Sequence, residues 1–139
     1  MPTLMAGDTV VNLAKTTDFM SPAIRAKAIR VGGDMTDNFK RAYKAGVKIA
    51  YGTDSGVSKH GYNAREAQLM FAAGMTPQDI LVSATINGAD LIGKSKTLGT
   101  LEVGKVADII AMHASPLNNI DELLDVDFVM KTGKVVKQK

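Results

Sequence analysis

Apolar residues recur at helical spacing through the first two-thirds of the chain. Ser21-Pro22 has the chemistry of an N-cap and a first helical turn, and Ala23 to Val31 continues it with good helix formers. Gly32-Gly33 interrupts that run. Asp34 to Asp37 offers a second helix start, with Phe39, Ala42 and Tyr43 on one face until Gly46 stops it. Val47-Lys48-Ile49-Ala50-Tyr51 then reads as a buried strand: it is short, mostly apolar, contains β-branched residues and is flanked by glycine. Gly52 to Gly56 is the turn after it. Asn63 and Glu66 have the spacing of a capping box, opening a helix that carries Ala67, Met70, Phe71 and Ala72 up to Gly74. Thr76-Pro77-Gln78-Asp79 caps another, which runs with Ile80, Leu81, Ala84, Ile86, Ala89, Leu91 and Ile92 inward and ends at Gly93.

After Gly93 the pattern changes. Glycine recurs at Gly99 and Gly104, Val106 to Met112 reads as a strand, and Phe128 to Val136 reads as a hairpin about Thr132-Gly133. The chain therefore divides into an α/β portion, residues 1–93, and a β-rich portion, residues 94–139. There is no internal repeat and no low-complexity stretch.

Composition narrows the function classes. A chain of 139 residues has the length of one ordinary domain and on folding buries roughly two-thirds of its surface. With 45% hydrophobic and 22% charged residues it is a packed globular chain, not a disordered one. The absence of cysteine removes disulfide scaffolds, thiolate zinc sites and cysteine nucleophiles, and suits a reducing cytoplasmic setting. The net charge of +3 is spread out, and the lysines at 131, 134, 137 and 139 alternate with apolar residues as on a solvated strand face. With no Trp to stack bases, nucleic acid is not an expected partner. No apolar stretch approaches the roughly 20 residues needed to span a bilayer, so no membrane role is expected. The segment Met1 to Asp8 has neither the basic nor the long apolar region of a secretory signal. It opens abruptly on apolar residues with no helix start, which suggests a missing upstream portion.

The most informative arrangement is a strand, then Gly52-Thr53-Asp54 at its carboxyl end, then a loop and a helix. Where strands end, the loops of an α/β barrel converge on one mouth, and a carboxylate held there can ligate a divalent metal and take a proton from water. An aspartate in a turn also commonly satisfies loop amides, and spacing alone leaves both roles open for Asp54. His60 lies in the same loop, placed either beside a substrate or facing water. His113 comes after a strand and reads as structural. Asn63 and Glu66 read as helix-capping partners, and the eight methionines as core filler. Gly88-Ala89-Asp90-Leu91-Ile92-Gly93-Lys94-Ser95 fits a phosphate-loop pattern literally. That loop works only between a strand and a helix, and here Ala89 to Ile92 continue a helix.

The run Ala45-Gly46-Val47-Lys48-Ile49-Ala50-Tyr51-Gly52-Thr53-Asp54-Ser55-Gly56 resembles the eighth-strand motif of the amidohydrolase superfamily, in the neighbourhood of imidazolonepropionase and Xaa-Pro dipeptidase. His60-Gly61, Asn63-Ala64, Glu66, Ala73 to Pro77, Ala84 to Ala89 and Leu91 to Gly93 resemble the segments downstream of that strand in the family. Gly99 to Ile110 and Val129 to Val136 resemble the strands of its accessory β-sandwich, and Pro2-Thr3-Leu4 the end of its seventh barrel strand. The resemblance covers nearly the whole chain in the right order. It implies that Asp54 binds the more exposed metal and acts as general base toward the hydrolytic water, later passing the proton to the leaving amine. The family's other ligands are a His-x-His pair, often a carboxylated lysine, and two further histidines. This chain has only His60 and His113, neither at a matching position.

The expected fold is therefore α/β: the carboxy-terminal fragment of a (β/α)₈ TIM barrel with part of an accessory β-sandwich. The implied activity is hydrolysis of a C–N bond in an amide, a cyclic amide or an Xaa-Pro-type dipeptide. The implied cofactor is a divalent metal in the complete enzyme, zinc being the expected ion. This chain supplies Asp54 and is expected to bind metal poorly and be inactive alone, since a catalytic zinc needs three or four ligands. The alternatives are a non-catalytic folding or interaction unit and, further off, a nucleotide-binding module through Gly88 to Ser95. A lone barrel strand with unpaired edges favours a homo-oligomer or pairing with the missing amino-terminal barrel portion.

Overall fold

The computed structural model describes residues 1–18, 20–56 and 58–139. Among the described residues five α-helices precede a small sheet: α1 (Leu4–Thr16), α2 (Pro22–Lys44), α3 (Arg65–Ala72), α4 (Pro77–Ala84) and α5 (Ile86–Leu91), then β1 (Ile109–Ala111), β2 (Phe128–Lys131) and β3 (Lys134–Gln138). A 3₁₀ helix, Ile120–Leu124, lies between β1 and β2. The sheet is an antiparallel meander in the order β1-β2-β3, with a register shift between Val129 and Met130. The core joins Leu4 of α1, Phe39 of α2, Ile49, Ala67 and Met70 of α3, Met75, Ile80 of α4 and Ile120.

Helix expectations from the sequence are corrected at two places in the first half of the chain. Leu4 opens a helix, where the apolar start suggests the end of a strand with no helix start. The signal is missing because this helix has no cap of its own: Thr3 is left-handed at φ 51° and makes no side-chain cap bond. The two helices expected on either side of Gly32-Gly33 are one continuous helix, α2. Gly32 serves packing instead of termination, because a Cβ built there would lie 2.1 Å from Val11 Cγ2 on α1. Gly33 has open space around it. Gly32→Ala is accordingly expected to destabilise the protein by about 1–3 kcal/mol through overpacking. Gly33→Ala should instead stabilise it by about 0.5–1 kcal/mol through helix propensity. Paired thermal melts of the two variants check this, and equal shifts in one direction would contradict the close helix crossing.

The expected buried strand Val47 to Tyr51 is only partly buried, with Val47 and Lys48 exposed, and it joins no ladder among the described residues. Ile49 and Ala50 are buried. Helices supply the hydrogen bonds that neighbouring strands otherwise would: the Tyr51 N–H donates to Ser83 O at 3.0 Å, and Asn87 Nδ2 donates to Ile49 O at 2.7 Å. A strand needs a partner to count as one, and apolar pattern alone cannot provide it. The single helix expected from Thr76 to Gly93 is broken at Thr85 (φ −111°, ψ −81°) into α4 and α5. The strand expected over Val106 to Met112 is paired only over Ile109–Ala111. The hairpin is present as expected, its turn carried by Thr132 at φ 51° and Gly133 at φ 76°, the left-handed pair that a two-residue hairpin requires. No helix among the described residues is long and apolar enough to cross a membrane.

Candidate active site

The buried run ends at Tyr51, and Gly52 to Ser55 emerge from it. A Cβ at Gly52 would lie 2.1 Å from Met1 Sδ, so the Met1 side chain lies against this turn. Asp54 lies in the left-handed region at φ 49°, a conformation that non-glycine residues other than Asn and Asp seldom adopt. Its carbonyl accepts the Gly56 N–H at 2.7 Å. The side chain is exposed, so the carboxylate is presented outward and not consumed in packing.

Polar side chains close the turn. The Thr53 and Ser55 hydroxyls lie 2.8 Å apart, and Asn63 Nδ2 donates to Thr53 Oγ1 at 3.5 Å. The Tyr51 hydroxyl donates to Asn63 O at 2.7 Å and accepts the Ala67 N–H at 3.1 Å. Burial, the largest influence, pushes the Tyr51 phenol well above its ordinary value; the Ala67 N–H pulls it partly back, and the Glu66 charge raises it further. The phenol therefore stays neutral and able to donate.

Glu66 does not form the capping box expected from the sequence. Helix α3 has Ala64 at its N-cap and no side-chain cap bond. The Glu66 carboxylate is fully buried and spans to another helix, where it accepts the Leu4 N–H at 2.9 Å and the Met5 N–H at 2.7 Å. It is the missing cap of α1. Burial pushes its carboxyl above the ordinary range, and the Met5 and Leu4 donors and the chain's amino group draw it partly back. Arg65 reaches Asp8 of α1 at 3.5 Å from the same turn. The sequence carries two signals for these roles: a lone tyrosine in an aliphatic run, whose buried hydroxyl requires a partner, and an acid on a helical turn otherwise bound for the core.

The expected site residues are only partly brought together. Asp54 shares its corner with Thr53, Ser55, Asn63 and Tyr51. His60 is exposed in the loop beyond, and His113 is exposed after β1. His113 borders a cleft with Glu122, Asp125, Asp127 and Lys139, where the Lys139 ammonium pairs with both Asp125 and Asp127. Among the described residues no group of three or more His, Asp or Glu side chains could hold a metal ion. Asp54 thus does not form a metal site from this chain's described residues alone. The phosphate-loop look-alike is helical at Gly88 to Leu91. Its amides are engaged within the helix and its exit turn: Ala89 to Thr85 O, Ile92 to Gly88 O, Gly93 to Asp90 O and Lys94 to Ala89 O. None of these four is free to hold phosphate.

Known proteins are similar to this chain in sequence and fold. The 5-methylthioadenosine/S-adenosylhomocysteine deaminase of Moorella thermoacetica is 36% identical over 120 residues, covering 70% of this chain and 28% of that protein. The imidazolonepropionase of Alkaliphilus oremlandii is 26% identical over 144 residues, covering 98% and 34%. Among solved structures, an Xaa-Pro dipeptidase with methionine bound in its active site matches 99% of this chain at 41% identity with a TM-score of 0.93, over 34% of its own length. The A. niger ochratoxinase matches 99% at 30% identity with a TM-score of 0.81, over 32% of its length. The chain therefore spans about a third of the proteins it resembles, and its fold is part of the amidohydrolase barrel architecture, as the sequence implied. The family model for the amidohydrolases matches residues 3–136. A match over nearly every residue, with the main chain superposing on an Xaa-Pro dipeptidase, leaves one assignment: the chain belongs to the amidohydrolase family.

Proposed function

We propose that this chain is the part of a C–N hydrolase that supplies the general base Asp54, with residues 1–93 contributing to the barrel and residues 94–139 to the accessory sandwich. One observation carries the reading. The only acid in the turn that ends the buried run is exposed and held left-handed, in a chain whose likeness to an Xaa-Pro dipeptidase extends over 99% of its length. In that role the Asp54 carboxylate takes a proton from the attacking water and returns it to the leaving nitrogen, so that an amine departs instead of an amide anion. His60, in the loop beyond, is placed to border the substrate. The divalent metal on which the family generally depends would polarise the carbonyl, held by residues of the remaining protein together with Asp54. The substrate class most in keeping with the structural likeness is a dipeptide or other carboxyl-terminal amide.

The exposed apolar side chains Leu91, Ile92, Leu101, Val103 and Ile110 support assembly with further protein, the remaining barrel portion first and a second copy of the chain otherwise. The test is to express the chain alone and together with the amino-terminal part of a related barrel, measuring bound zinc and Xaa-Pro dipeptide hydrolysis. Zinc binding and turnover are expected only in the assembled protein. Stoichiometric zinc on the isolated chain, or an assembled protein equally active with Asp54→Asn, would overturn the reading.

A further inference from the structure

Asp54 sits three residues beyond Tyr51, whose main chain and hydroxyl are both bonded to elements outside the turn. We propose that Tyr51 is a positioning residue for Asp54, its hydroxyl clamping the catalytic turn to the start of α3; the inference rests on the hydrolase reading above. At its main chain Tyr51 is tied to Ser83 O, and just before it Ile49–Ala50 is anchored through Asn87. At the far end of its side chain the hydroxyl makes two bonds, to Asn63 O and from the Ala67 N–H. Asn63 in turn reaches back to Thr53, the neighbour of Asp54. The turn that carries Asp54 is thus closed from both sides: Tyr51 enters it, Asn63 leaves it, and the phenol joins the two.

The far anchor is itself tied into the core. Glu66, adjacent to Ala67, is fully buried and holds the first turn of α1 with both carboxylate oxygens. The Tyr51 ring packs against the hydrophobic core. Aspartate tolerates the left-handed backbone at φ 49°, so what the surrounding bonds decide is where its carboxylate lies. Removing the hydroxyl leaves the ring in place and releases those bonds. A carboxylate off by about 1 Å costs turnover far more than it costs substrate binding.

The experiment uses the complete protein and a panel of Xaa-Pro dipeptides, comparing wild type, Tyr51→Phe and Asp54→Asn for kcat, KM, bound zinc and Tm. Tyr51→Phe is expected to lower kcat about 10- to 100-fold while KM stays within about twofold and zinc stays bound. A purely structural tyrosine would lower Tm and leave kcat per folded molecule unchanged, and that result overturns the proposal. If Tyr51→Phe does not fold, Tyr51→Met also removes the hydroxyl while keeping an apolar side chain against the core; the same split between kcat and KM supports the proposal, and unchanged kcat per folded molecule overturns it. Full activity in Asp54→Asn would sink the hydrolase reading itself, and Tyr51 with it. An inactive Asp54→Asn beside a fully active Tyr51→Phe rejects the positioning role alone.

Discussion

Asp54→Asn is expected to reduce kcat/KM of the complete hydrolase by about 10²–10⁴-fold, the range for loss of a positioned general base. The substitution isolates chemistry from folding. Asparagine has the same shape, tolerates the left-handed backbone that Asp54 occupies at φ 49°, and differs in having no basic carboxylate. Because the side chain is exposed, stability should move by less than about 0.5 kcal/mol. Asp54→Ala should be equally inactive but less stable by about 1–2 kcal/mol, since alanine has no local hydrogen bond to offset left-handed strain. Steady-state kinetics on purified protein, with Tm measured on the same samples, separates the two effects. Activity of the Asn variant within a few-fold of wild type is the outcome that removes Asp54 from the mechanism.

Glu66→Ala is expected to cost about 3–5 kcal/mol, a large share of the roughly 5–15 kcal/mol that holds a typical domain together. The cause is specific. Helix α1 begins behind a left-handed Thr3 that caps nothing, so the Leu4 and Met5 N–H groups depend on a carboxylate from α3. Truncation leaves two buried donors without acceptors and a void in the core. Glu66→Gln retains one acceptor oxygen and should cost about 1–3 kcal/mol. The pH dependence comes from burial. Because the folded carboxyl titrates above its ordinary value of 4.5, the folded state binds the proton more tightly than the unfolded chain. The stability linked to that proton is fully present below the unfolded value of 4.5 and is lost as pH rises through the higher folded value. Denaturant titrations across this window should show the gap between wild type and Glu66→Gln narrowing as pH rises. A gap that widens would mean that the two N–H donors outweigh desolvation.

Much of the molecule is legible residue by residue. Ser21-Pro22 and Thr76-Pro77 begin helices where their capping chemistry says they should, and Thr132-Gly133 turns the hairpin because its backbone demands are local. In the apolar run before Asp54, Ile49 and Ala50 are buried as its composition indicates, while Val47 is exposed. That composition does not reveal how the run is held. Its hydrogen bonds go to Ser83 and Asn87, more than 30 positions away. The same holds for Gly32, whose neighbours along the chain suggest a break, while the side chain it accommodates is Val11 on another helix. Glu66 is legible as a cap, but the helix it caps is not the one it belongs to.

Local chemistry along the chain thus settles where α2 and α4 begin, where the hairpin turns, and that one aspartate comes after an apolar run with a family's motif around it. These depend on torsional preference and on hydrogen bonds reaching three or four residues, which are written locally. The folded chain alone reveals that α1 is capped from α3, that α2 passes unbroken over a glycine, and that Tyr51 joins both ends of the turn bearing Asp54. Each of those depends on a polar or steric demand met by a residue far along the chain, and a buried donor or a missing Cβ does not specify in advance which distant neighbour will satisfy it.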